Sequence, residues 1–170
     1  EAAQAVEVSA YPDRYQNYQP VAEAILTALT RPVSSGNDGG DETPVVPETT
    51  RIVFPLPEGT WARTSPFGWR NDPITGERRF HAGSDFAAPD GTPIYAVASG
   101  VVLSPTNGGW AGTNVVIQHS NGGATLYAHM SKKVVSPGST VKAGQLIGYV
   151  GTTGRSFGAH LHLEYYTPGV

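Results

Sequence analysis

The sequence contains no cysteine, which excludes a disulfide framework and any thiolate metal site while leaving the compartment open, because exported proteins often lack cysteine too. Charge is scarce: charged residues make up 15% of the chain and the formal net charge is −3. No basic run is present, and a nucleic-acid footprint requires clustered Lys and Arg, so no nucleic-acid partner is expected. No apolar stretch approaches the roughly 20 residues that span a bilayer, and a soluble chain is expected. The chain opens on Glu1, as a processed form does, so the lack of a signal peptide carries no information.

What is present is turn chemistry. Gly 21 and Pro 14, with a hydrophobic content of 39%, indicate short strands separated by many reversals, so the fold class is mainly β. Residues 1–50 differ in texture from the rest. "PVAEAILTALTRP" carries Val21, Ile25 and Leu29 at four-residue spacing and predicts a short amphipathic helix over about 20–31, opened by Pro20 and stopped by Pro32. "SSGNDGGDETPVVPETT", about 34–50, reads as a flexible linker. From 51 to 170 short apolar runs alternate with turn signals, and "PIYAVASGVVLS", "TNVVIQHS", "ATLYAHMS", "QLIGYVG" and "HLHLEYY" are the predicted strands. The "NGG" at 107–109 and at 121–123 marks reversals, the second giving the clearest hairpin. An antiparallel β domain over 51–170 is expected.

Two clusters carry chemistry. In "GAHLHLEY" a strand places His160, His162 and Glu164 on one face and Leu161, Leu163 and Tyr165 on the other. A solvent-facing strand edge accounts for such a pair as well as a metal site does. In "FHAGSDFAAPDGTPIYA" His81 and Asp85 lie four apart, a spacing that keeps them on one face of either a helix or an extended segment. Joined by one histidine of the late pair they make a two-nitrogen, one-oxygen donor set. That set suits a catalytic zinc with an open position, and it also suits the iron of an oxygenase, with spacing favouring zinc only modestly.

The surroundings are more specific. "FGWRNDPITGERRFHAGSDFAAPDGTPIYAVASGVV", followed by "LYAHM", "VSPGSTVKAGQLIGYVGTTGRSFGAHLH" and "AHLHLE", resembles the lysostaphin and LytM type of zinc metallopeptidase over about Ser65 to Tyr165. The resemblance implies one zinc ion per domain held by His81, Asp85 and His162, with His129 and His160 beside it as the catalytic pair. It implies a peptidoglycan endopeptidase, acting on stem peptides or cross-bridges, outside the cytoplasm. With no His-Glu-x-x-His helix to supply a glutamate base, histidine fills that role: His160 is expected as the base and His129 as the group stabilising the oxyanion, or the two with their roles reversed.

Around this core, Glu164 is expected either to steady His162 by a hydrogen bond or to be an ordinary exposed strand carboxylate. Arg70 and Asn71 are candidates to approach the site or substrate, with structural roles at the surface as the alternative, and Tyr127, on the strand face of His129, either lines the site or packs in the core. His119, at a strand end before the second NGG, is expected as an exposed hairpin histidine. "TTGRSFGAH" lacks the Gly-Lys-Ser/Thr ending of a phosphate loop and reads as a flexible approach to the last strand. The competing readings are a non-catalytic wall-binding or hydrolase-activating module of the same fold, against which the intact ligand set counts, and a biotinyl-type carrier, against which the absence of a Lys next to Met130 counts. The N-terminal segment is expected to cover the cleft or to lead to an anchor or regulatory partner. The oligomeric state is not encoded in any of these patterns.

Overall fold

The computed structural model describes residues 46–48, 51–73, 75–103 and 109–168. The helix expected over about 20–31 lies outside the described residues, as does the linker apart from 46–48 and the 107–109 reversal apart from Gly109. Among the described residues the chain forms eleven strands and one short 3₁₀ turn: β1 Ala62–Ser65, β2 Gly68–Asn71, β3 Arg78–His81, β4 Ser84–Ala87, β5 Pro93–Tyr95, β6 Gly100–Val102, the turn Gly109–Ala111, β7 Thr113–Gln118, β8 Ala124–Lys133, β9 Thr140–Val141, β10 Leu146–Val150 and β11 His160–Tyr166. Every pairing is antiparallel, and the mainly antiparallel β architecture expected from composition is the one observed.

Nine strands make one sheet in the order β1-β4-β11-β8-β7-β6-β9, with β10 joining β8 and β5, while β2 and β3 form a separate two-stranded sheet. β7 and β8 are the predicted hairpin, closed across residues 119–123 by His119 N–H to the Gly123 carbonyl at 2.8 Å. Alternation along β7 sends Val115 and Ile117 to one apolar cluster, with Ile94, Tyr127, Met130, Ile147 and Leu161, and Val116 to another, with Leu103, Leu126 and Ala128. The strand period of two therefore decides which face each core residue fills.

Three expectations are corrected. "PIYAVASGVVLS" is two strands, because the chain turns after Tyr95: the Val97 N–H goes to the Tyr127 hydroxyl at 2.8 Å rather than to a strand partner. β5 then serves β10 while β6 serves β7 and β9. His119 is buried at 4% exposure, with Nδ1 2.8 Å from the Ser99 carbonyl and Nε2 2.9 Å from the Thr125 hydroxyl. Tyr127 is fully buried in the core, its hydroxyl also 3.1 Å from that of Thr125, and it does not line the cleft.

The reason for the last correction is a bulge in β8. His129 is the one described non-glycine residue with a positive φ, 61°, and the register against β7 slips between Val115↔Tyr127 and Thr113↔Met130. The extra residue re-aims the side chain, so Tyr127 and Met130, three apart, share the core while His129 turns out of it. A left-handed backbone on a side chain other than glycine costs about 1–3 kcal/mol.

Candidate active site

Strand register brings the candidate residues together. His162 of β11 stands opposite Asp85 of β4 on one side and Ala128 of β8 on the other, so the neighbour of Ala128, turned by the bulge, arrives beside the same point. His81 comes from the end of β3 in the small sheet, and the chain crosses from one sheet to the other through Ala82 and Gly83. A Cβ on Gly83 would stand 2.5 Å from the Leu163 carbonyl oxygen and 2.7 Å from His162 Nε2, which makes this crossing a glycine-only approach. His81, Asp85 and His162 line a cleft of ≈ 840 Å³ that also includes Arg70, Asn71, Asp72, Arg79, Trp110, His129, Arg155 and His160.

The ring nitrogens are committed in a consistent way. His81 Nδ1 donates to the Pro66 carbonyl at 2.8 Å, His162 Nε2 to Glu164 Oε1 at 2.9 Å, His129 Nδ1 to the Thr153 carbonyl at 2.9 Å and His160 Nδ1 to the Gly158 carbonyl at 2.8 Å. Each imidazole thus turns its other nitrogen toward the cleft. His81 Nε2 and His162 Nδ1 lie 3.1 Å apart, and Asp85 Oδ1 is 3.1 Å from the first and 2.8 Å from the second. Lone pairs at that separation repel unless a proton or a metal ion lies among them. His81, Asp85 and His162 form a buried group whose donor atoms all fall within 4.8 Å of one another. A tetrahedral zinc with bonds of about 2.0–2.1 Å holds its ligands about 3.3 Å apart, close to what these side chains already adopt, so the donor set fits such an ion.

Burial works to raise the Asp85 carboxyl, but the hydrogen bonds and charges of His162 and His81 hold it well below the usual carboxylate range. Burial works to lower His162, yet the carboxylates of Asp85 and Glu164 hold it up at about 9. For His129 burial prevails over the Thr153 carbonyl and lowers it to about 4.

Glu164 is buried at 2% exposure, and its second oxygen accepts the Tyr166 hydroxyl. Arg70 reaches Asp85 Oδ2 at 3.6 Å, and Asn71 sits on the exposed side of β2 at the cleft. Tyr127 is the one site candidate that the fold takes away. Sequence reasoning missed Trp110, whose ring lies 5.3 Å from that of His162 and 6.0 Å from that of His129, and it missed Thr153, Asp72 and Arg155. The signal available for them was weak: a Trp between a glycine pair and a strand, and an Arg inside a glycine-rich loop.

Comparison with known proteins follows the same lines. The profile of "Peptidase family M23" matches residues 79–170. The "DD-carboxypeptidase/endopeptidase Mpg" of Neisseria meningitidis is 50% identical over 101 residues, 59% of this chain and 23% of that protein. The chain therefore spans about a quarter of the length of this curated relative. Among solved structures, a zinc-containing peptidase from Vibrio cholerae aligns with a TM-score of 0.62 and 36% identity, over 69% of this chain and 37% of that one. The catalytic domain of lysostaphin from Staphylococcus simulans aligns with a TM-score of 0.54 and 34% identity, over 62% and 79%.

Proposed function

The chain belongs to peptidase family M23, whose profile covers residues 79–170, and from that premise we propose that it is a zinc-dependent endopeptidase that hydrolyses peptide bonds in bacterial peptidoglycan. The single observation that carries this reading is the convergence of His81, Asp85 and His162 within 4.8 Å in a cleft that also presents His129 and His160. In this reading residues 51–170 are the catalytic unit, and it works outside the cytoplasm, where its substrate is. The name of the Neisseria relative, which includes DD-endopeptidase activity, makes a bond between D-amino acids in the cross-link the expected target.

His81 through Nε2, His162 through Nδ1 and Asp85 through Oδ1 would hold the ion. The chemistry zinc supplies when bound is Lewis-acid polarisation of the scissile carbonyl and a water acidic enough, with a pKa of about 7, to lose its proton near neutrality. The rest falls to the chain. A base must be able to hold the proton it takes, and burial keeps His129 near 4, so the proton goes to His160. Its Nε2 faces the cleft 3.7 Å from Asp85 Oδ1, and with Nδ1–H spent on the Gly158 carbonyl it presents a lone pair there to take the proton. His129 offers a lone pair at Nε2, since its Nδ1–H is spent on Thr153. A lone pair cannot donate to an oxyanion, so in place of the role expected from sequence we assign His129 to orient the attacking water by accepting its other hydrogen.

The test is release of soluble muropeptides from purified peptidoglycan by the 170-residue chain, with zinc supplied and with zinc chelated. Zinc-dependent release is expected, the fragment masses naming the bond. His129→Ala and His160→Ala are expected to lower turnover by about 10²–10⁴-fold with zinc stoichiometry retained. Release that persists under chelation, or loss of zinc from either variant, contradicts the assignment.

A further inference from the structure

The two cleft histidines outside the ligand set, His129 and His160, take their orientation from one loop, residues 152–158, which lies between β10 and β11 and belongs to no strand. Thr153 supplies the carbonyl for His129 Nδ1, and its hydroxyl is itself pinned, taking the Thr113 N–H at 2.9 Å and donating to the Met130 carbonyl at 2.7 Å. Gly158 supplies the carbonyl for His160 Nδ1, with the Ser156 hydroxyl 3.2 Å away. Between these two points stands Arg155. Its N–H donates to the Trp110 carbonyl at 2.8 Å, and its guanidinium reaches out of the loop to Asp72, with NH2 at 3.1 Å from Oδ1 and 3.0 Å from Oδ2.

Asp72 is a fixed anchor. It is 8% exposed, its Oδ1 also accepts the Thr75 N–H at 3.1 Å, and its backbone closes the β2–β3 turn through Glu77 and Gly76 at 2.7 and 2.8 Å. This turn belongs to the small sheet that carries His81, and Asp72 and Arg155 both line the cleft. Charge-assisted hydrogen bonds are about twice as strong as neutral ones and directional.

We propose that Asp72 and Arg155 are positioning residues, a clamp that holds the 152–158 loop against the β2–β3 hairpin and thereby sets the ring orientation of His129 and His160 together. The role rests on the function proposed above. The bonds that define the clamp run between Arg155, Asp72, Thr75 and Trp110, and the clamp is assigned no role as a ligand or as a group that touches the reacting atoms. It acts by keeping two carbonyl acceptors, Thr153 and Gly158, where each Nδ1–H must point, which leaves each Nε2 lone pair aimed into the cleft.

The experiment compares the zinc-loaded full chain with Asp72→Asn, Arg155→Lys, Arg155→Ala and the double variant Asp72→Asn/Arg155→Lys. Each is measured for zinc stoichiometry, thermal midpoint, kcat and KM on cross-linked muropeptide, and the ¹⁵N signals of the His129 and His160 rings. The expected result is retained zinc and midpoint, a nearly unchanged KM, a kcat lower by about tenfold or more, and loss of the single Nδ1–H tautomer at both rings. The double variant is expected to be no worse than the more impaired single variant, as for two partners of one interaction. An unchanged kcat, a fall in kcat that tracks loss of zinc or of thermal midpoint, or additive single effects would each overturn the clamp. If the parent chain cleaves no peptidoglycan, the proposed function fails, and the ring signals alone decide: tautomers preserved in the variants overturn the clamp, and tautomers scrambled in them support it.

Discussion

Glu164 spends one carboxylate oxygen on the His162 ring and the other on the Tyr166 hydroxyl, and it does so buried, opposite Leu126 of β8. A carboxylate behind a ligating imidazole fixes its tautomer and raises its basicity, and removing such a partner costs about 10–100-fold in metal affinity. Glu164→Gln keeps the shape and removes the charge. Its zinc affinity, measured by competition with a chromophoric chelator, is expected to fall by about that factor, with turnover recovering as zinc is raised. Equal affinity in the two proteins would show that the hydrogen bond does nothing for the metal. The side chain's place on the His162 face was legible from strand alternation. Its burial was not, because nothing in residues 158–166 says that β11 lies inside the sheet between β4 and β8.

Gly83 shows what an element crossing demands. The corner from β3 to β4 runs so close to β11 that an added Cβ meets backbone at 2.5 Å, and backbone cannot yield as a side-chain tip can. Gly83→Ala is expected to destabilise by about 1–3 kcal/mol, as overpacking does, and to disturb His162, whose ring is the second contact. Urea unfolding with parallel zinc titration checks both, and a variant of parental stability would refute the close approach. The same scale explains what the sequence did and did not reveal. Period-two reading worked on β7 and β11, where the backbone is regular, and it placed His160 and His162 together. It failed on β8, where a positive φ at His129 breaks the alternation and sends Tyr127 to the core; a bulge leaves no residue type behind when the position is histidine. It also missed the 152–158 loop, whose glycines looked like slack and whose carbonyls hold two imidazoles.

At the scale of the molecule, the resemblance to lysostaphin-type peptidases and the mainly β class were both legible, because the motifs are contiguous and the composition is one-sided. The residues that complete the site were not, since they meet only after folding. His119 belongs to this scale. It links the Ser99 carbonyl before β6 to Thr125 in β8, and burial lowers its imidazole below the ordinary value against the pull of that carbonyl. The unfolded chain therefore takes up this proton more readily than the folded one. The stability contribution is complete above the unfolded value near 6.5 and is lost as pH falls through the folded value. His119→Gln is expected to flatten the fall in stability of the parent below about pH 6.5, read from urea unfolding of both chains at stepped pH. Identical pH dependence would remove His119 from the account.

The register of β11 has a further consequence for the order of events in synthesis. His81 and Asp85 are four residues apart, but Asp85 meets His162 across 77 positions, and β11 is the last of the described strands to leave the ribosome. Domains form as the chain emerges, from the N-terminal end, so β4 and β8 wait unpaired on their facing edges until it arrives. Its docking delivers His160, His162 and Glu164 in one stroke. A chain stopped before Ala159 holds two of the three proposed ligands, and neither His160 nor the carboxylate behind His162, so on the proposed reading the site stays incomplete until β11 slots between two strands made before it.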